Sequence, residues 1–247
     1  MILIYFLKYY INLFLRHLYW IYRLSTSDIG KKAKLEFPII REGKGKLIVG
    51  NNSFICKKVR LGVGEKATLR LGNKTHIETK GIILVNKNCS LTIADGFKLG
   101  QNARLYVQSD WCFGKDVKIE TNCAIFAREP NKYGKLTIGD GSHIGDYTII
   151  DLVDDVTIGN EVAIGPNCTI YSHEHVYDNP SVPAWKGGLV SQPIFIGDGA
   201  WVGSNVTILP GITIGKRTVV AAGSVVTKNL EPESIYGGIP AKLIKRI

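Results

Sequence analysis

Cysteine is scarce in this sequence of 247 residues, and its five cysteines include no C-x-x-C pair. An odd number without paired spacing excludes a complete disulfide framework and the common cysteine motifs for zinc. Cys123 and Cys168 occupy positions at which neighbouring repeats carry Ala, Val or Ser. We therefore expect buried, inert thiols and a reducing compartment.

Acidic residues are also in deficit, with 21 Asp or Glu against 31 Lys or Arg and a net charge of +10. Residues 1–46 hold nine Lys or Arg and three Asp or Glu, a local charge of +6. The sequence carries no motif typical of RNA or DNA binding, so a nucleic-acid partner is not expected. The distribution instead favours an anionic surface that the N-terminal segment contacts.

An aliphatic residue recurs at every sixth position of the C-terminal half, a period that fits neither one α-helix nor one strand. The main series is Ile196, Val202, Ile208, Ile214, Val220 and Val226. A second series of small or aliphatic residues precedes its later members by two positions: Ala200, Val206, Ile212, Thr218 and Ser224. The pattern predicts an all-β parallel β-helix, in which three six-residue segments close one triangular coil.

Hexads of the same kind continue upstream, in triplets that begin at residues 49, 71, 93, 113, 138 and 158. Their spacing of 20 to 25 residues, instead of 18, predicts longer sides or small bulges in the early coils. We predict one solenoid over 46–231, with a helix over 1–27, a basic linker over 28–45 and a short tail over 232–247. A sandwich of antiparallel strands would show alternation and not a sustained period of six.

Residues 1–24 are mostly aliphatic or aromatic, and Lys8, Asn12, Arg16 and Arg23 share one helical stripe. A cleaved signal peptide is disfavoured, because basic residues interrupt the apolar run and no small-residue cleavage site follows. A membrane-spanning helix would bury Lys8 and Arg16 at about 2.5–3.5 kcal/mol each. Two interpretations stay open. The segment is an amphipathic helix in the membrane interface, or it is a helix that caps the first coil or packs on a partner subunit.

The period of six breaks between Ile170 and Ile196, where prolines and glycines predict an irregular loop over 172–193. Loops on a rigid scaffold commonly carry function. This loop opens with His173 and His175, two of the five histidines in the chain. No cysteine or third histidine lies nearby in the sequence, so a metal site is not expected. Either histidine alone would be read as a surface residue, but the pair favours a neutral imidazole that acts as a general base.

Four features of residues 138–247 coincide: the hexads, the loop with its histidines, the block WVGSNVTILPGITIG and the ending GGIPAKLIKRI. Together they resemble the hexapeptide-repeat acetyltransferases, whose fold is a left-handed β-helix. The resemblance is strongest to the branch of maltose and galactoside O-acetyltransferases, nodulation sugar acetyltransferases and O-acetyltransferases of polysaccharide biosynthesis. Residues 46–137 match only as generic coils, and residues 1–45 do not match.

This resemblance implies that His175 is the general base, with His173 as the alternative. In the family the base takes a proton from an acceptor hydroxyl as the hydroxyl attacks the thioester of acetyl-coenzyme A. The implied coenzyme-binding positions lie beside the pantetheine arm or near the phosphates: Trp201, Ser204, Ala222, Lys228, Lys242 and Lys245. Cations that pair with phosphates give the three lysines a physical role.

The chain departs from the family where the sugar acetyltransferases carry an Asn in the coil before the histidine. Tyr147 and Asp151 stand in the corresponding stretch here. We expect these two residues, together with Asp178 and Trp185 in the loop, to contact the acceptor. The N-terminal helical module of those enzymes is replaced by the aromatic segment and additional coils.

The sequence and the resemblance therefore predict an acetyl-coenzyme A-dependent transferase that O-acetylates a sugar hydroxyl of a surface polysaccharide or of its lipid-linked precursor. The family forms trimers with sites between neighbouring solenoids, which implies a homotrimer. The basic aromatic segment further predicts that the enzyme is cytoplasmic and is held at the inner face of the cytoplasmic membrane. N-acetylation of an amino sugar and a non-catalytic β-helix scaffold or binding protein are the alternatives.

Overall fold

The computed structural model describes residues 2–247. The predicted helix is present as α1 (Ile2–Ser25), and Met1 lies outside the described residues. The rest of the chain winds through nine coils of three strands each. A hairpin interrupts the winding after the seventh coil, and a second hairpin follows the ninth.

The strands of the first three coils are β1 (Asp28–Ile29), β2 (Lys34–Leu35), β3 (Ile40–Glu42), β4 (Lys46–Val49), β5 (Phe54–Ile55), β6 (Arg60–Val63), β7 (Thr68–Leu71), β8 (His76–Ile77) and β9 (Ile82–Val85). The next three coils contain β10 (Ser90–Ile93), β11 (Lys98–Leu99), β12 (Arg104–Val107), β13 (Trp111–Phe113), β14 (Lys118–Ile119), β15 (Ala124–Phe126), β16 (Leu136–Ile138), β17 (His143–Ile144) and β18 (Ile149–Asp151).

The seventh coil contains β19 (Val156–Ile158), β20 (Ala163–Ile164) and β21 (Thr169–Tyr171). The interrupting hairpin consists of β22 (His173–His175) and β23 (Leu189–Ser191), with a 3₁₀ turn at Ala184–Lys186 between them. The last strands are β24 (Ile194–Ile196), β25 (Trp201–Val202), β26 (Thr207–Ile208), β27 (Thr213–Ile214), β28 (Val219–Val220), β29 (Val225–Val226), β30 (Ser234–Gly237) and β31 (Lys242–Arg246).

Each coil contributes one strand to each of three parallel sheets, which form the faces of a triangular prism. Sheet one starts with β1 and sheet three with β3, and each has nine strands; sheet two starts with β2 and has eleven. The aliphatic residue of every predicted hexad points inward and is buried, as Ile196, Val202 and Ile208 illustrate. This is the predicted left-handed parallel β-helix, and one continuous apolar core holds the stacked coils together.

The irregular spacing of the early hexads has two structural causes. Four-residue strands, such as β7 and β9, lengthen the sides of the early coils. The fifth coil carries an additional loop over residues 127–134, between β15 and β16. The interrupting hairpin and this loop both leave the prism at the corner between sheets three and one, because each follows a strand of sheet three.

Residues 28–45, for which the sequence predicts a linker, form the first coil of the solenoid. Its strands pair in register with the second coil; Asp28 and Ile29, for example, lie opposite Ile48 and Val49. The apolar pattern misses this coil because Arg41 occupies the inward position that Leu61 fills in the next one.

The Arg41 side chain covers the apolar core at the N-terminal end of the solenoid. Its guanidinium donates to the carbonyl oxygen of Gly45 at 2.7 Å and to the carbonyl oxygens of Glu42 and Gly43. Burial, followed by the charge of Arg23, lowers the pKa of Arg41 to about 10. The side chain thus binds backbone oxygens that have no further coil to pair with.

Helix α1 attaches to the first coil through its last turns and leaves most of its length exposed. Trp20 and Leu24 are buried, and the Arg23 Nε atom donates to the Gly43 carbonyl oxygen at 3.0 Å. The large apolar side chains of the preceding turns are exposed, among them Phe6 and Phe14. Within residues 2–247, no helix combines the length and apolarity needed to cross a membrane.

The C-terminal segment folds back as a hairpin. Strand β30 pairs in parallel with β28, and β31 then pairs antiparallel with β30 at the end of sheet two. Residues 232–247 therefore extend the sheet that carries Trp201.

Candidate active site

The two histidines of the interrupting loop lie on one face of β22. Strand β22 pairs antiparallel with β23, which places His173 opposite Ser191 and His175 opposite Leu189. Because alternate side chains of a strand share a face, the two imidazoles lie side by side, with ring centroids 6.0 Å apart. The His173 side chain is 9% exposed and that of His175 is 37% exposed, so His175 is the more accessible of the two.

Ser172 fixes the base of this hairpin to the sixth coil and to the turn that follows it. Its buried hydroxyl donates to the Asp151 carbonyl oxygen at 2.8 Å and accepts from the Asp154 amide at 2.9 Å. The Ser172 carbonyl oxygen accepts from the Gln192 amide at 2.9 Å. Both ends of the loop are therefore held by the same residue, which restricts how the histidines can move relative to the coils.

The Asp151 carboxylate lies buried directly behind His173. Its Oδ2 atom is 3.9 Å from His173 Nδ1, and neither atom has a hydrogen-bond partner among residues 2–247. On its other side, Oδ1 accepts from the Arg128 amide at 3.2 Å, and Oδ2 lies 3.5 Å from Arg128 Nε. Burial raises the pKa of the Asp151 carboxyl, and the Arg128 amide and the nearby cationic groups oppose this rise.

A second carboxylate, that of Glu129, reaches the histidines from the loop over 127–134. Its Oε1 atom lies 3.9 Å from His173 Nε2 and 3.9 Å from His175 Nε2. The adjacent Arg128 packs its guanidinium over the Phe126 ring, 4.9 Å from the ring centroid. Side chains from three successive coils thus meet at one corner of the prism.

The residues that the resemblance assigns to the coenzyme lie elsewhere, on sheet two and at the corner between sheets two and three. The exposed Trp201 indole borders an open cleft that Glu120, His143 and Pro166 also line. At this corner the Gly223 amide donates to the Ser204 carbonyl oxygen at 2.8 Å, so Ala222 and Ser204 belong to adjacent coils.

The three candidate lysines differ in position. Lys242 and Lys245 lie on β31 at the end of sheet two, and Lys228 follows β29 of sheet three. All three are exposed. A single chain therefore groups Lys242 and Lys245 with Trp201, on a different face of the prism from the edge that carries His175.

The predicted acceptor-binding residues are not brought together either. Tyr147 is exposed at the corner between sheets two and three, at the end of a shallow groove that includes Lys80 and Arg104. Asp178 and Trp185 lie exposed within the interrupting loop. Of the four, only Asp151 touches the histidine pair, and it does so from beneath.

Comparison with known proteins places these features in a family. The model for bacterial transferase hexapeptide, described as six repeats, matches residues 193–228. Galactoside O-acetyltransferase of Escherichia coli strain K12 is 46% identical over 61 residues, which cover 25% of this chain and 30% of that enzyme. The chain thus spans less than a third of the length of this curated relative.

Two solved structures match over a longer stretch. A hexapeptide-repeat acetyltransferase of Vibrio cholerae O1 biovar eltor, in complex with acetyl-coenzyme A, is 32% identical over 61% of this chain and 70% of its own, with a TM-score of 0.44. A maltose O-acetyltransferase of Clostridium difficile 630 is 33% identical over 55% of this chain and 70% of its own, with a TM-score of 0.47. The chain belongs to the bacterial hexapeptide-repeat transferase family.

In this hexapeptide-repeat transferase, sequence reasoning missed Glu129 and Arg128 as parts of the candidate site. Both lie in a loop without a motif of its own. The one signal was the spacing of 25 residues between Phe113 and Ile138, the longest among the upstream triplets. The excess residues form the loop that places Glu129 between the two imidazoles.

Proposed function

We propose that this protein transfers the acetyl group of acetyl-coenzyme A to a hydroxyl group of a sugar, with His175 as the general base. The observation that carries the proposal is the imidazole of His175, accessible on a hairpin that Ser172 fixes to the solenoid. The sequence relatives named galactoside and maltose O-acetyltransferases support the sugar as acceptor.

The geometry favours His175 over His173 for the proton transfer. His173 lies deeper, with Nδ1 toward Asp151 and Nε2 toward Glu129, whereas His175 is four times as exposed. In the proposed step, an imidazole nitrogen of His175 takes the proton of the acceptor hydroxyl, and the oxygen attacks the thioester carbonyl. The carbon–sulfur bond breaks, and the proton passes from His175 to the departing thiolate.

Sheet two supplies the proposed binding surface for the coenzyme. Trp201 offers an exposed apolar face for the pantetheine arm, and Lys242 and Lys245 place two cations further along the same sheet. Cations on β31 suit the phosphates at the far end of a coenzyme A molecule.

A homotrimer completes this arrangement. Within one chain the histidines and Trp201 lie on different parts of the prism, so in the proposed trimer the hairpin of one subunit faces sheet two of a neighbour. The site is then incomplete without the neighbouring subunit, and removing either set of residues should abolish transfer.

Helix α1 is proposed to hold the enzyme on an anionic membrane surface. Its apolar side chains are exposed over most of its length, and Lys8 and Arg16 add positive charge to one stripe. A helix of this composition binds at the level of the lipid headgroups. The placement brings the enzyme to a lipid-linked precursor of a surface polysaccharide, where tethering raises the effective concentration of the acceptor.

Release of the free thiol of coenzyme A, measured with a panel of hydroxyl-bearing and amino-bearing sugars, tests the proposed reaction. His175→Ala should lower turnover by about 10²- to 10⁴-fold and leave the oligomer intact. Full activity of His175→Ala, with loss of activity in His173→Ala, would assign the base to the other histidine. Transfer to amino sugars alone would replace O-acetylation by N-acetylation.

A further inference from the structure

Three potential metal ligands converge at the histidine hairpin. The Nε2 atoms of His173 and His175 both face Glu129 Oε1 at 3.9 Å, and one ligand atom from each residue lies within 4.8 Å of the other two. Two imidazoles and one carboxylate form a donor set that binds zinc in many proteins.

The buried carboxylate of Asp151 lies behind these three ligands, against His173. His173 turns Nδ1 toward the buried Asp151 Oδ2, and both of these atoms lack a hydrogen-bond partner in the part of the chain that the structure describes. Metal-binding histidines commonly donate their other ring N–H to a carboxylate, which fixes the tautomer that leaves Nε2 free for the metal. Coordination through Nε2 would place the proton of His173 on the nitrogen that faces Asp151.

We propose that Glu129, His173 and His175 bind one divalent transition-metal ion of the Zn²⁺ class, with Asp151 orienting His173. Imidazole nitrogens favour such ions over Mg²⁺ or Ca²⁺. The site contains two carboxylates, of Glu129 and Asp151, and one guanidinium, of Arg128. Its net charge is therefore −1 when both imidazoles are neutral, which favours the binding of a cation.

Metal binding requires the three ligand atoms to move closer together. Ligand atoms at about 2.0–2.2 Å from zinc lie about 3.4 Å apart in a tetrahedral site, so each 3.9 Å separation from Glu129 must shorten by about 0.5 Å. The two histidine ligand atoms lie within 4.8 Å of each other and must approach by up to about 1.4 Å. Glu129 lies in an irregular loop and is 30% exposed, and His175 is 37% exposed. Rotations of these two side chains can therefore supply the closure without moving the coils.

Metal binding has a consequence for catalysis, and this part rests on the proposed function. An ion bound to His175 Nε2 would occupy this nitrogen of the proposed base and hold the imidazole beside Glu129 and His173. The bound form should therefore transfer acetyl groups slowly, and removal of the ion should restore activity.

Titration of the metal-free chain of 247 residues with Zn²⁺, followed by calorimetry, measures the site directly. We expect one ion per chain, with Glu129→Gln and His175→Ala each weakening affinity at least tenfold and Asp151→Asn about 10- to 100-fold. His143→Ala is the matched control, because His143 pairs with Glu120 at 2.7 Å on sheet two but has no third ligand within the described residues. Absence of saturable binding, or equal loss in the control and in Glu129→Gln, overturns the site.

Thiol release with and without Zn²⁺ separates the two proposals. Inhibition of the wild-type protein at the concentration that saturates the calorimetric site supports the regulatory role, and activation or no effect overturns it. If the metal-free His175→Ala variant is inactive while the wild type binds no zinc, only the metal proposal fails. If zinc binds while metal-free His175→Ala retains full activity, the assignment of the base fails together with the inhibition that rests on it, and the metal site itself stands.

Discussion

Trp201 and Lys245 belong to one cross-strand ladder of sheet two. Trp201 lies opposite Val219, Val219 opposite Ile235, and Ile235 opposite Lys245. Residues of one ladder point to the same side of a sheet, and three strand spacings separate these two by about 14 Å. An indole and a cation at that separation suit a long ligand with an apolar arm at one end and phosphates at the other.

The Lys245→Glu variant tests this relationship. Loss of one cation–phosphate pair, about 1.5 kcal/mol, should raise the Kd for coenzyme A at least tenfold in a direct binding assay. The thermal unfolding midpoint should stay unchanged, because the side chain is exposed. Lys98→Glu makes the same charge change on β11 of the same sheet. An equal loss of affinity in this control would show that the effect comes from net charge and not from a contact of Lys245.

Tyr147 adopts a left-handed conformation, with φ of 60°, at a corner where Asn102, Asn122 and Asn167 do the same in other coils. This conformation costs most residues about 1–2 kcal/mol and costs Asn less. Tyr147→Asn should therefore raise the free energy of unfolding by about 1 kcal/mol, measured in urea. If the ring contacts the acceptor, the KM for the sugar should rise as well.

Lys58→Asn is the control for this change, since Lys58 has φ of 63° at the same corner of an earlier coil. Its stability should rise in the same way while its KM stays constant. An unchanged KM in both variants would remove Tyr147 from the acceptor site.

Flotation with vesicles tests the membrane role of α1. The chain of 247 residues should float with vesicles that contain anionic phospholipid at low salt. The double change Lys8→Glu and Arg16→Glu should weaken binding at least tenfold, because each basic residue contributes about 1 kcal/mol. Lys98→Glu with Lys118→Glu removes the same charge from sheet two and should float normally. If both double variants float as the wild type does, α1 is better explained as a contact between subunits.

The buried thiol of Cys123 predicts a loss of stability at alkaline pH. Burial raises the pKa of Cys123 to about 12 from an ordinary value of 9.0. Above pH 9 the unfolded chain loses this proton and the folded chain keeps it, so rising pH favours unfolding, by up to about 4 kcal/mol by pH 12.

Urea titrations from pH 8 to pH 10.5 would measure this dependence. The fall in unfolding free energy should be shallower in Cys123→Ala than in the wild type, whatever the absolute stability of the variant. Cys112→Ser is the control, since Cys112 is exposed and should leave the slope unchanged. Parallel curves for wild type and Cys123→Ala would contradict the prediction.

The sequence was sufficient for the solenoid because each inward position is marked by its own aliphatic residue and each corner by a small or polar one. It was insufficient for the first coil, where a polar residue, Arg41, takes an inward position. The proximity of Glu129 to His173 and His175 could not be predicted from the sequence either. It depends on which irregular loops leave the prism at the same corner, and local patterns carry no information on that.

The two ends of the solenoid also determine whether further copies of the protein can add to it end to end. A stack of similar coils offers at each end strand edges onto which another copy could add, as in a fibre. At the first coil, α1 lies against β3 and the Arg41 guanidinium binds backbone oxygens. At the other end, sheet two closes with β31, which runs antiparallel and carries Lys242, Lys245 and Arg246. Like charges on facing copies of β31 would repel, so the strand that is proposed to receive the coenzyme phosphates also keeps one molecule from polymerising onto the next.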